Sequence, residues 1–200
     1  MCSLREVSTD RTRLIGDAAI EILADLGMRG LTHRAVDAAA GLPAGSTSNL
    51  ARSRAALLEL ALARLTELED EHFAELLTQP LPVDRREAMV ELLAVSTYKM
   101  TGVDRRRSVA RYELALEATR RPELRAVYDD IGRRYREPSV AMFAAAGTSD
   151  PARHGRQLVA FTEGLLFDAV VGAGGAPTLG DLRAAFAEYL SAVFRDASPT

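Results

Sequence analysis

Thr32-His33-Arg34-Ala35-Val36-Asp37-Ala38-Ala39-Ala40-Gly41-Leu42-Pro43-Ala44-Gly45-Ser46-Thr47-Ser48-Asn49-Leu50 is the stretch that decides the architecture. Thr32 is a natural N-cap, and His33 to Ala40 reads as a short helix stopped by Gly41. Leu42-Pro43-Ala44 reads as a tight turn into a second short helix that ends near Leu50. Two short helices joined by a glycine-containing turn of about four residues have the form of a helix-turn-helix. Ala39 and Ala40 are small where the two helices would cross, and Val36 and Leu42 supply inner apolar contacts. The second helix carries Gly45, Ser46, Thr47, Ser48 and Asn49, all small or polar. A helix meant only for a core would not expose such a group. Small polar side chains let a helix sink into the DNA major groove and hydrogen-bond base edges or phosphates. Thr32 and Arg34 are placed to hold the DNA backbone, and His33 reads as a DNA-facing or solvent residue. The competing interpretation is a helical hairpin with a solvated polar face.

Working outward, the chain reads as helix almost throughout. A first helix is expected from a cap at Thr9 or Asp10 to Leu26, with Leu14, Ala18, Ile22 and Leu26 on its apolar face and Ile15, Ala19 and Leu23 alongside. Gly27 stands where a left-handed residue would end it. Ser53 caps a long helix over about 54–77, with Leu57, Ala61, Leu65 and Leu68 on one side. Gln79-Pro80-Leu81-Pro82 breaks the chain. Further helices are expected near 83–101, 104–120, 122–146, 152–173 and 178–195. The fold class is all-α: an N-terminal three-helix helix-turn-helix domain, 1–55, then a larger helical ligand-binding and dimerisation domain, 56–200.

Composition narrows the function. The chain has 200 residues, 48% hydrophobic and 26% charged, with a net charge of −3. That balance is globular, and the net charge alone does not point to nucleic acid. The distribution does: from Arg29 to Arg54 four arginines face Asp37 alone, a local +3 where phosphate contacts are needed. Lys99 is the only lysine among 25 basic residues. No apolar run is long enough for a membrane span, and Met1 to Asp10 lacks the apolar core of a secretory signal, so a cytoplasmic setting is expected. Cys2 is the single cysteine, and His33, His72 and His154 are far apart in sequence. No metal site and no cofactor are therefore expected. Neither a nucleophile elbow nor a phosphate loop is present, and the glycine-rich 172–175 follows a helix rather than a strand, so catalysis is not expected. The run Arg105-Arg106-Arg107 reads as a solvated helix start or a second anion contact.

The pattern resembles the TetR (tetracycline-repressor-like) family of transcription regulators. The resemblance is carried by Ala18-Ala19-Ile20, Leu26-Gly27, Gly30-Leu31-Thr32, Val36 to Leu42, Gly45 to Asn49 and Arg52-Ser53-Arg54-Ala55-Ala56-Leu57-Leu58. A further stretch, Ala110 to Leu114 with Arg121-Pro122-Glu123-Leu124, resembles the C-terminal domain of one branch. The family implies a homodimer that binds a near-palindromic double-stranded operator and is released by a small-molecule effector. The expected DNA-binding residues are Thr32, His33, Arg34, Gly45, Ser46, Thr47, Ser48, Asn49, Arg52 and Arg54, with Ser46 and Thr47 deepest in the groove. The sequence departs from the family where Pro43 replaces a serine, and where Ser48 and Ala51 replace Tyr and Phe. The absent aromatics at 48 and 51 motivate the alternative of a helical ligand-binding or interaction protein with weak or lost DNA binding.

Apolar and aromatic residues recur beyond the break. Tyr98, Met100, Tyr112, Glu113, Phe143, Phe161 and Phe167 are candidate effector contacts, with Glu117, Glu163 and Asp168 as further polar ones. Ordinary helix packing is the competing explanation for each. Leu158, Phe161, Leu165 and Ala169, with Leu182, Phe186, Tyr189 and Val193, form two stripes suited to a four-helix dimer seam, although half of that surface is free to face the chain's own core.

Overall fold

The computed structural model describes residues 4–195, and among these it contains helices and no strand. In chain order the helices are α1 (Leu4–Gly30), α2 (His33–Ala39), α3 (Ser46–Leu50), α4 (Arg54–Leu77), α5 (Arg85–Thr101), α6 (Arg105–Ala118), α7 (Pro122–Ala145), α8 (Pro151–Val170) and α9 (Leu179–Arg195). Thr32, Ser53, Asp84 and Asp150 cap α2, α4, α5 and α8 by accepting backbone N–H bonds. The start of α1 differs from expectation: it begins at Leu4, so neither Thr9 nor Asp10 caps it. Gly27 takes φ 63° and kinks α1 where its end was expected. Cys2 lies outside the described residues.

The chain forms two compact units. The first contains residues up to Glu71 together with Arg106–Asp129. Its buried apolar residues include Ile15, Ala19 and Leu23 of α1, Leu57, Leu58, Ala61 and Leu65 of α4, and Ala110 and Leu114 of α6. The buried stripe of α1 is thus centred on Ile15, Ala19 and Leu23, while Leu14 and Leu26 are exposed. Around the Gly27 kink the backbone is held by side chains. Glu113 accepts the Met28 N–H at 3.2 Å, and Arg106 pairs with both Glu21 and Asp25.

The second unit contains His72–Arg105 and the residues from Asp130 onward. Leu182, Phe186, Leu190 and Val193 recur along one face of α9 and are buried with Met89 and Ala94 of α5, Phe143 of α7 and Leu158 of α8. Phe161 stacks on Tyr189 at 5.0 Å and meets Phe186 edge-on. Leu158, Leu182, Phe186 and Val193, expected in a dimer seam, therefore fill this unit's own core. Removing their apolar area from water within the subunit stabilises the unit itself. Lys99 ties α5 to the end of α4 and to the turn before α6, with His72 Nδ1 at 3.0 Å, Glu75 at 3.3 Å and Asp104 at 3.8 Å.

No described helix is long and apolar enough to cross a membrane. No group of three or more described His, Cys, Asp or Glu residues could hold a metal ion.

Candidate nucleic-acid interface

α3 has only five residues, too short to be stable by its own backbone bonds. Its N-cap is Gly45, in a left-handed conformation (φ 88°) that favours glycine and offers no capping side chain. The missing acceptors come from α2. Asp37 accepts the Gly45 N–H at 2.8 Å, the Thr47 N–H at 2.7 Å and the Thr47 hydroxyl at 2.6 Å. The Thr47 hydroxyl, helped by the two N–H donors, holds the Asp37 carboxyl below the ordinary carboxylate range against the opposing effect of burial. Ser46 donates to the Pro43 carbonyl at 2.6 Å and accepts from Arg11 at 2.6 Å.

This lock fixes which side of α3 faces outward. Ser46 and Thr47 are buried, and Ala51, one turn after Thr47, is buried with them. Ser46 and Thr47 are therefore not the groove-reading residues expected from their polarity; their hydroxyls hold the helix in place. Two more expected DNA contacts also turn inward. His33 Nε2–H donates to the Ala51 carbonyl at 2.6 Å. Arg54 donates to the carbonyls of Met28 (2.5 Å) and Leu31 (2.6 Å), just past the Gly27 kink. A guanidinium committed to two backbone acceptors tethers the end of α1 rather than a phosphate. The exposed side comprises Thr32, the N-cap of α2, and Arg34 in its first turn, Ser48, Asn49 and Leu50 of α3, and Arg52 after it, with Gly45 half-buried at the start of α3. Ala39, expected at the helix crossing, is exposed, while Val36 is fully buried and Leu42 half-buried.

Sequence reasoning missed Asp37 and Arg11. Asp37 did carry a signal: it is the only acid between Arg29 and Arg54. An acid inside a basic, DNA-like segment is tolerable only where it points inward. Arg11 gave no comparable sign.

The candidate effector residues divide between the two units. Tyr112 and Glu113 belong to the first. The Tyr112 ring carries the Arg111 guanidinium at 4.7 Å, and the Glu113 carboxylate accepts the Met28 N–H and so holds the backbone beside the kink. Glu117 is paired with Arg121 at 2.5 Å, which holds its carboxyl below the usual range. In the second unit Phe143 is wholly buried and Phe161 half-buried, both in the aromatic core. Met100 is half-buried, while Tyr98 and Phe167 are exposed and do not belong to that core. Arg105 and Arg106 serve internal partners, the Val170 carbonyl and the Glu21–Asp25 pair respectively, and so do not form a free anion contact.

Residues 84–196 match the family described as tetracyclin repressor-like, C-terminal domain, which is more than half of the chain. The chain belongs to the TetR family of transcriptional regulators. Solved structures of the same fold include a transcriptional regulator from Rhodococcus sp. Rha1, with TM-score 0.78 and 19% identity, covering 94% of this chain and 99% of that one. A TetR-family member from Streptomyces coelicolor A3 aligns with TM-score 0.70 and 29% identity over 90% of this chain and 98% of its own. The multidrug binding protein EbrR complexed with ethidium aligns with TM-score 0.66 and 29% identity, again over 90% and 98%. A comparison with curated proteins returned no match. Against the TetR pattern, the two substituted aromatic positions separate physically. Ser48 stands on the exposed side of α3, and Ala51 sits on the buried side, where its carbonyl anchors His33.

Proposed function

We propose that this TetR-family regulator is a repressor that binds a near-palindromic operator as a homodimer and is released by a small-molecule effector. It acts by binding rather than by catalysis, in the cytoplasm. DNA binding belongs to residues 1–55, and effector binding and dimerisation to 56–200. The observation that carries the DNA-binding part is the exposed row of Arg34, Ser48, Asn49 and Arg52 on a helix-turn-helix whose inner side is locked by Asp37. Arg34 and Arg52 lie at the two ends of the motif, where a phosphate contact on each side of the groove positions α3. Thr32 and the Gly45 backbone stand beside them. An effector that binds the non-operator state more tightly lowers DNA affinity, and operator DNA weakens effector binding by the same factor. The effector reading is supported by EbrR, 29% identical and solved with ethidium.

The test is the salt dependence of binding to duplex DNA. Removing one cationic partner of a phosphate flattens the slope of log K against log salt by about one unit. Arg34→Ala and Arg52→Ala are expected to do so once per subunit, with no change in melting temperature. Wild-type protein that showed no salt-dependent association with any duplex would instead favour an interaction protein without DNA binding.

A further inference from the structure

The outward residues of α3 also carry chemical information about the base pairs they meet. Successive residues are about 100° apart around a helix. Thr47 points inward, with no exposed surface. Ser48 is then about 100° from it, Asn49 about 200° and Leu50 about 300°. Asn49 is the residue most nearly opposite the buried side. Leu50, the last residue of α3, falls in angle between buried Ser46 and Thr47 and owes its 43% exposure to its place at the helix end. The exposed side of α3 carries neither an arginine or lysine to bind guanine O6 and N7 nor a carboxylate to accept from cytosine N4. An asparagine amide, with one acceptor and one donor side by side, fits adenine N6–H and N7. Leucine makes no hydrogen bonds, and the apolar feature that base edges offer in the major groove is the thymine methyl. Apolar surface left exposed at the end of an otherwise polar helix finds its complement there.

We propose that each operator half-site holds an adenine under Asn49 and, at a neighbouring pair, a thymine whose methyl packs on Leu50. Asn49 and Leu50 are thus specificity-determining residues for an A·T step at the centre of each half-site. This rests on the DNA-binding reading above. Arg34 and Arg52 set the register, and Ser48, being small, lets the helix approach closely enough for both contacts.

The full-length protein is first used to select from duplexes randomised over about two helical turns. The enriched site is then resynthesised with single-atom-group changes. Replacing the central thymine by uracil removes only the methyl, and replacing adenine by 7-deazaadenine removes only the N7 acceptor. Wild type is expected to lose several-fold affinity from the first change, and about 5- to 150-fold from a wrong base under Asn49. The Leu50→Ala variant should be indifferent to uracil, and Asn49→Ala to 7-deazaadenine. Both positions are exposed, so both variants should melt like wild type. A selected site with G·C pairs at these positions, or a wild type insensitive to both analogues, overturns the proposal while leaving DNA binding intact. If selection enriches nothing, the DNA-binding reading fails and this inference falls with it.

Discussion

At the scale of single residues, the same side-chain types divide between holding the motif and facing outward. Arg52 and Arg54 are two positions apart and chemically identical, yet Arg52 is exposed while Arg54 spans the carbonyls of Met28 and Leu31. Arg54→Ala leaves two carbonyls beside the Gly27 kink without their charged donor. The expected loss is about 1–3 kcal/mol of stability, read as a lower midpoint in urea unfolding, with the salt slope of any remaining DNA binding unchanged. A wild-type midpoint with a flattened salt slope would reverse that assignment. Residue chemistry was legible in the sequence, whereas direction was not. Ser46 and Thr47 announced hydrogen-bonding capacity, but nothing local said that a five-residue helix with glycine at its cap would draw those hydroxyls inward. Asp37 needed only the question of where an acid goes in a basic segment.

At the scale of elements, boundaries were legible because Gly, Pro and capping residues mark them, as at Thr32, Ser53 and Gly41. The start of α1 was not, because Leu4 to Asp10 has no breaker and two residues there can act as caps. The α2–α3 pair has its own acid sensitivity. Asp37 has a lower carboxyl pKa in the folded protein than in the unfolded chain, owing chiefly to the Thr47 hydroxyl. Its contribution is therefore full above the unfolded value of about 3.9 and fades as pH falls through the lowered folded value. Thermal unfolding followed between neutral pH and pH about 3 should show this as part of the acid decline. Asp37→Asn should lower stability at neutral pH and flatten the decline; an unaltered pH profile would mean that the carboxylate is not what locks α3. In the second unit the Lys99 ammonium donates to His72 Nδ1 and Glu75 and pairs with Asp104 at 3.8 Å. A planar guanidinium distributes its donors differently. Lys99→Arg keeps the charge but should still destabilise the chain by about 1 kcal/mol, a typical size for disrupting a local network. Unchanged calorimetric unfolding would show that charge alone suffices there.

At the scale of the whole molecule, the question is which surface would make the proposed dimer once the apolar stripe of α9 is spent inside its own subunit. Leu182, Phe186, Leu190 and Val193 are buried, so an acidic substitution at Phe186 would unfold the unit and say nothing about assembly. α8 leaves Ala152, Arg153, Arg156, Gln157, Ala160, Gly164, Phe167 and Asp168 exposed, and among these Gln157, Ala160, Gly164 and Phe167, with Val171 just past its end, are spaced three and four residues apart. That spacing lays one stripe along the helix, with small residues in the middle and apolar ones at one end, which suits close packing against a second α8. Gly164 is the discriminating position. A Cβ added there meets nothing within 4 Å in the subunit, so leucine is tolerated by the fold. Replacing glycine in a helix also gains about 1 kcal/mol of propensity, so the folded subunit should be no less stable. Across a two-fold seam the same leucine meets its own copy and forces the helices apart. Gly164→Leu should therefore sediment as a well-folded monomer at concentrations where wild type is a dimer. It should also lose the operator's second half-site, roughly halving the salt slope, because only one helix-turn-helix remains engaged. A Gly164→Leu protein that stayed dimeric and kept the full slope would move the seam off this face of α8, leaving the remaining exposed surface of α9 as the place to look.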